Sequence, residues 1–218
     1  MLTSQFWEPI QLSLLVATCA AIIVAFSGTV IGWFMSRKKF KGKTAIETIM
    51  LLPIVLPPTV IGFLLVILFG RNGPVGELIH SLFNQSILFT VWAAIIAAIV
   101  VSFPLMYQSA KTGFQSIGKD IHEAARIDGA NEREILRYIS VPLCYKSLVA
   151  GVTLSFARAL GEFGATIMFA GNIPGRTQTI PTAIYVAFES NQMSLAWAWV
   201  LSIIVISYIM LFLLRRSN

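Results

Sequence analysis

The chain has 218 residues, 56% of them apolar and 12% charged, with a net charge of +6. A soluble domain carries about 25% charged residues, and the apolar residues here fall in long runs, which excludes a soluble enzyme core and favours several membrane helices. The basic excess sits in short loops beside those runs, where it sets topology, and does not form a nucleic-acid-binding surface.

The first apolar run, Ile10–Met35, follows Glu8 with no basic segment before it. It is longer than a signal core and lacks a small-x-small cleavage site, so it is expected to be a retained span. Cys19 within it and Cys144 further on have no metal-type spacing; both read as small apolar residues and not as a disulfide pair. Five lysines and arginines (Arg37, Lys38, Lys39, Lys41 and Lys43) follow.

The second run, Thr48–Phe69, carries Pro53, Pro57 and Pro58. Each proline removes an amide donor and strains the turn before it. Freed carbonyls in lipid need partners, so the break should face protein or a water-filled cavity. Two readings stay open: a passive kink that shapes the bundle, or a gate at Pro57, Pro58 and Thr59, where half-helix amides can hold anions.

The third and fourth runs are Ile87–Tyr107 and Leu148–Ala170. Arg158 and Glu162 in the fourth are four residues apart and so neighbours on one helix face. A charge near mid-membrane costs about 2.5–3.5 kcal/mol, so neither should face lipid. They are a structural ion pair or they border a translocation path, together with Thr166; spacing does not choose. Gly161, Gly164 and Ala165 are expected to give a shallow surface for close helix packing. Ile180–Phe188 is apolar but too short to cross, which fits an external or re-entrant helix. Ala196–Leu214 is the fifth run.

Five crossings place thirteen of the 16 lysines and arginines on one side, with Arg71 and Arg176 opposite and Arg158 inside span 4. By the positive-inside tendency the amino terminus is outside and the carboxyl terminus, with Arg215 and Arg216, is cytoplasmic.

About 38 residues (109–146) join spans 3 and 4, long for a mere connection. Ile121–Tyr138 is rich in helix formers. Asp120 is expected to cap one short helix and Gly129 to end it in a left-handed turn. A second helix should begin near Asn131, and Pro142 should turn the chain back towards span 4. The loop carries Glu123-Ala124-Ala125-Arg126-Ile127-Asp128-Gly129 and, after nine more residues, Ile139, Val141 and Pro142.

That spacing resembles the EAA loop of ABC-importer permeases, with Val141 standing where the family has Leu. The resemblance extends to Leu52–Gly62 in span 2 and Phe156–Pro181 in and after span 4, across nearly the whole chain. Within the family it is similar to the oxyanion branch. The Ala165-Thr166-Ile167-Met168 segment and the Gly175–Thr179 loop look more like molybdate permeases than sulfate ones.

The resemblance implies an all-α, type I ABC-importer permease fold of about five membrane helices, six possible. It implies one permease domain over 1–218, with its core at about 10–214, in a bacterial cytoplasmic membrane. The permease would work as a homodimer with a cytoplasmic ABC ATPase dimer and an extracytoplasmic molybdate-binding protein. Glu123, Ala124, Ala125, Asp128, Gly129, Ile139 and Pro142 would couple to the ATPase. The same machine carrying sulfate, thiosulfate or tungstate is the nearest alternative. An ATPase-independent secondary transporter, or a structural membrane protein, is further away.

No Gly-x4-Gly-Lys-Ser/Thr loop occurs, so ATP and Mg would be bound by the partner, and this chain is expected to need no cofactor and to catalyse no reaction. His80 and His122 stand far apart, without neighbouring ligands, and read as interface or loop residues.

Overall fold

The computed structural model describes residues 4–217, with side chains described for 5–212; Arg215 and Arg216 lie outside the described side chains. Every regular element is helical among the described residues. The elements are α1 (Ser4–Arg37), α2 (Lys43–Val55), α3 (Pro58–Phe69), α4 (Pro74–Phe83), α5 (Val91–Gln115) and α6 (Lys119–Ile127). They continue as α7 (Glu132–Leu143), α8 (Tyr145–Leu160), α9 (Gly164–Phe169), α10 (Ile180–Glu189) and α11 (Met193–Ser217).

Among the described residues, three helices, α1, α5 and α11, are long and apolar enough to cross a membrane unbroken. The second and fourth expected spans are broken. A 118° bend separates α2 from α3 in the second, and the fourth breaks at Gly161–Phe163, between α8 and α9; a further 79° bend, between α7 and α8, precedes the fourth. The expected span Thr48–Phe69 is therefore two helices of 13 and 12 residues, each about 18–20 Å long. The cause is local: Pro58 opens α3 at its first position, and Pro57 holds φ −54 and ψ 137, which no helix continues.

The core is a ladder of small residues. Ala17 and Ala20 of α1 meet Ala93, Ala94, Ala97 and Ala98 of α5 in one buried cluster with Ala165 and Phe169 of α9. Small side chains let membrane helices approach closely and gain dispersion contact where no hydrophobic drive separates helix from lipid. A Cβ on Gly32 would stand 2.9 Å from Ala110 Cβ, so α1 and α5 are in near-backbone contact there. α8 completes the layer; Ser155 Oγ donates to the Ser102 carbonyl of α5 at 3.2 Å.

A second cluster ties the start of α1 to α10 and α11 through Ile10, Ile180, Ala183 and Trp199. Trp199 Nε1 donates to the Phe6 carbonyl at 3.0 Å, and Ser13 Oγ accepts from Ile180 N–H at 2.7 Å. α10 is the short apolar helix expected at Ile180–Phe188. α4 was not anticipated: its ten residues are too few for a span, though Pro74 starts it and a left-handed Asn84 ends it.

Two boundaries differ from expectation with consequences for the loop. α5 runs to Gln115 and not Tyr107, so three residues separate it from α6 and the loop is mostly helix. The fourth span does not run unbroken to Ala170: α8 stops at Leu160, and a break at Gly161–Phe163 precedes α9.

Candidate functional site

Two features stand out: a charged elbow at one end of the bundle, and the place where the two broken spans meet. The elbow begins with α6. Gly118 holds its N-cap position, and Asp120 sits inside the first turn, with no side-chain cap bond; the expected Asp120 cap is not formed. Asp120 there still complements the helix dipole. Gly129 ends the helix as expected, at φ +88. Its N–H bonds the Arg126 carbonyl at 3.0 Å, and the Ala130 N–H bonds that of Ala125 at 3.0 Å. This pair of bonds satisfies the last carbonyls of the helix.

Asn131 opens α7. Its Oδ1 accepts from Arg133 and Glu134 N–H at 3.0 and 3.1 Å, while Glu134 Oε2 accepts from Asn131 N–H at 2.7 Å. This reciprocal box fixes where the chain re-enters a helix. α7 then passes through a π segment, Ile135–Ser140. Pro142 stays within the helical run, and the chain turns two residues later, at Cys144, between α7 and α8. That corrects the expected turn at Pro142, which the last turn of α7 accommodates directly after the π segment.

One face of the elbow packs inward. His122 and Ala125 are buried, and His122 Nε2 lies 3.1 Å from Ser140 Oγ of α7. Burial pushes the His122 imidazole below its ordinary value of 6.5, and the Arg37 and Arg126 charges add to this, against a smaller opposing effect of Glu132. Arg126 Nε donates to Glu132 Oε1 at 3.0 Å, and Glu132 Oε2 stands 2.8 Å from an Arg37 nitrogen, which ties the elbow to the end of α1.

The other face is open. Glu123, Ala124, Asp128, Gly129 and Pro142 are exposed, and Ile139 is half-buried. Beside them Ile127 is 86% exposed and Tyr138 68%. Asp128, Gly129, Tyr138 and Ile139 line one shallow hollow. The structure thus brings Asp128, Gly129 and Ile139 together, leaves Glu123, Ala124 and Pro142 exposed, and packs Ala125 inside.

The broken spans meet at Gly164. A Cβ there would lie 2.9 Å from Pro58 Cβ and 3.2 Å from Thr59 N, and one on Gly62 would lie 2.6 Å from Met168 Cβ. α9 thus lies on the first turns of α3, and the Phe69 and Phe169 rings meet at a tilt, 5.5 Å apart, further along. Gly164 and Ala165 pack closely as expected; a Cβ on Gly161 would meet only the Ala157 carbonyl, at 3.6 Å, so Gly161 forms no packing surface. Pro57 and Thr59 are exposed, Pro58 half-buried and Thr166 buried.

Glu162 pairs with Arg158 at 2.5 Å, although it lies beyond the end of α8 rather than on its face. Its other oxygen, Oε1, accepts from Ala165 N–H at 2.7 Å, so it also caps α9. Glu162 is 2% exposed. The motif search missed this capping role, and also a polar knot joining α2 to α5. Tyr107 Oη donates to Glu47 Oε1 at 3.0 Å, and Lys111 Nζ reaches the same oxygen at 2.7 Å. The one signal for it in sequence was an isolated acid, Glu47, at the mouth of an apolar run.

The family model described as "Binding-protein-dependent transport system inner membrane component" matches residues 28–218. The chain belongs to this family. Among its relatives is YvgM of Bacillus subtilis (strain 168), a protein named for a molybdenum transport system permease. It is 57% identical over 215 residues, covering 99% of this chain and 95% of that protein. ModB of Escherichia coli (strain K12), a molybdenum transport system permease protein, is 38% identical over 190 residues, 87% of this chain and 83% of ModB. CysT of Salmonella typhimurium (strain LT2), a sulfate transport system permease protein, is 31% identical and covers 96% of this chain and 78% of CysT. The crystal structure of a bacterial ABC transporter that imports alginate matches with a TM-score of 0.77 at 17% identity, covering 98% of this chain and 80% of that one. The fold is that of a type I ABC-importer permease. The chain is a multi-pass membrane component of an importer, a transport subunit whose energy comes from a separate ATP-hydrolysing subunit.

Proposed function

We propose that this permease subunit carries molybdate into the cell. The observation that carries this reading is the 57% identity to a molybdenum permease, spanning 99% of this chain. The 31% identity to a sulfate permease keeps the same machine with sulfate as cargo as the second reading.

Two copies of the chain form the pathway, each presenting its elbow to one of a pair of cytoplasmic ATPases, while an extracytoplasmic binding protein delivers the anion opposite. ATP and Mg bind to the ATPases and not to this chain. The amino terminus lies outside and the elbow inside, as the basic loops favour. The open face around Glu123, Ala124, Asp128, Gly129, Ile139 and Pro142 receives the push of the closing ATPases. Ala125 supports that face from beneath. The helix-capped turn at Gly129 makes the elbow stiff enough to pass a displacement to α8, whose far end carries Arg158 and the Glu162 cap.

The contact of Pro58 and Thr59 with Gly164 joins the two broken spans, so a shift of α8 and α9 moves α3. This supports a gate at Pro57, Pro58 and Thr59, with Arg158, Glu162 and Thr166 on the moving partner. The positive charge of Arg158 is compensated by Glu162, which leaves a moderate field for an anion.

Uptake of radiolabelled molybdate by cells carrying the full transporter tests the cargo. Uptake should resist a large excess of sulfate; equal competition by sulfate at matched concentration would assign the cargo to sulfate.

A further inference from the structure

At the loop end of α1, four donor-bearing side chains converge on a hollow of about 240 Å³: Trp33, Arg37, Lys38 and Arg126, with Phe34 and Glu132 completing the lining. Arg and Trp side chains only donate hydrogen bonds, and so does a Lys ammonium. The set therefore brings three positive charges against one carboxylate. One of its polar atoms is short of an acceptor: among the described residues Trp33 Nε1 is buried with no partner, whereas Arg37 is paired with Glu132 Oε2 at 2.8 Å. Buried donors without acceptors are rare and costly. The Arg37 guanidinium lies over the Trp33 ring at 5.1 Å, which holds it in place. Trp33 itself packs on the core cluster beneath.

We propose that this hollow is a binding site for a phosphate-type oxyanion, clamped between the end of α1 and the elbow. Its position, where an apolar span meets a polar loop beside exposed Phe34, suits the headgroup of an anionic phospholipid; basic pockets at span ends bind such headgroups. A free oxyanion offers the same chemistry. In either case the ligand accepts from the donors that line the hollow and bridges Arg37 and Lys38 to Arg126. It would brace the elbow against α1 alongside the Glu132 pairs. This site is separate from the open face that meets the partner.

The test uses the purified full-length chain in neutral detergent, with equal amounts of phosphatidylglycerol and phosphatidylcholine, followed by native mass spectrometry. The wild type should retain phosphatidylglycerol preferentially. Lys38→Gln and Arg126→Gln should each weaken retention about fivefold, and Glu132→Gln should strengthen it. Lys38 is exposed, so its variant folds whatever becomes of the Arg126 pair. In parallel, inorganic phosphate is titrated into lipid-stripped chain while the emission owed to Trp33 is followed, taken as the difference from Trp33→Phe. Selective, charge-dependent lipid retention without a phosphate response identifies the headgroup as ligand. A saturable phosphate response lost in Lys38→Gln identifies a free oxyanion. Equal retention of both lipids, unchanged in the variants, with no phosphate response, overturns the site.

Discussion

Pro58 of α3 and Gly164 of α9 lie so close that a methyl group on the glycine would stand 2.9 Å from the proline Cβ. Two helices broken at different points of the chain are thereby seated on each other at their first turns. Gly164→Ala and Gly62→Ala should each destabilise the protein by about 1–3 kcal/mol through overpacking. Thermal unfolding of the purified protein measures this, and uptake should fall alongside. A Gly164→Ala protein with wild-type melting and transport would mean that the breaks do not bear on each other.

Glu162 holds Arg158 with one oxygen and the Ala165 amide of α9 with the other. Glu162→Gln keeps an acceptor for Ala165 N–H and should retain most of the fold. Glu162→Ala leaves that buried N–H unpaired, at a cost of about 1–3 kcal/mol. The melting temperatures of the two variants should therefore separate, with Ala below Gln. If they coincide, the cap contributes nothing.

Ile127 and Tyr138 are exposed on the same elbow and touch little of their own chain. Ile127→Glu should change stability by less than about 0.5 kcal/mol, as surface substitutions do. Its cost should appear in the partner: co-purification of the ATPase subunit should drop at least about tenfold if the side chain is a buried anchor of that contact. Retained ATPase at wild-type stoichiometry would remove this face from the interface.

Gly129 holds φ +88 with open space around the missing Cβ. Gly129→Val should therefore act by backbone strain alone, about 1–2 kcal/mol, loosening the turn between α6 and α7. Hydrogen exchange of the amides of Gly129 and Ala130 should speed up accordingly, with the membrane helices unaffected.

His122 gives the elbow a pH dependence of definite sign. Its imidazole is held below the ordinary value of 6.5 by burial and by Arg37 and Arg126, so the neutral form is the one the fold accepts. The unfolded elbow binds the proton more readily, and the stabilisation is full above about pH 6.5 and lost as pH falls from there towards the lower folded value. Exchange protection over residues 119–140 should decline as pH is lowered from about 7.5 to about 5.5, after correction for intrinsic rates. His122→Gln should flatten the profile; an identical slope in that variant would assign the effect elsewhere.

The membrane character, the long spans and the loop motif were legible because they rest on local signals. A run of apolar residues announces a helix in lipid whatever its neighbours do, and a glycine at the end of a helix-prone stretch announces a left-handed turn. Pro57 and Pro58 announced a break for the same reason, and Asn131 a helix start. The 118° angle at that break was not legible, because the direction taken after it depends on what α3 packs against. Nor was the break at Gly161–Phe163, where periodicity alone would continue the helix to Ala170.

The remaining assignments needed distances between residues far apart in the chain. Ala124 and Ala125 are adjacent and alike, yet one is exposed and the other buried, which only the tertiary packing around α6 decides. Glu132 meets Arg37 across 95 positions, and Tyr107 meets Glu47 across 60. Local sequence determines which stretches become helices, because propensity and hydropathy act within a turn or two. Which charges pair, which small residues touch and which face stays open are decided by close packing, a property of the assembled bundle and not of any one segment.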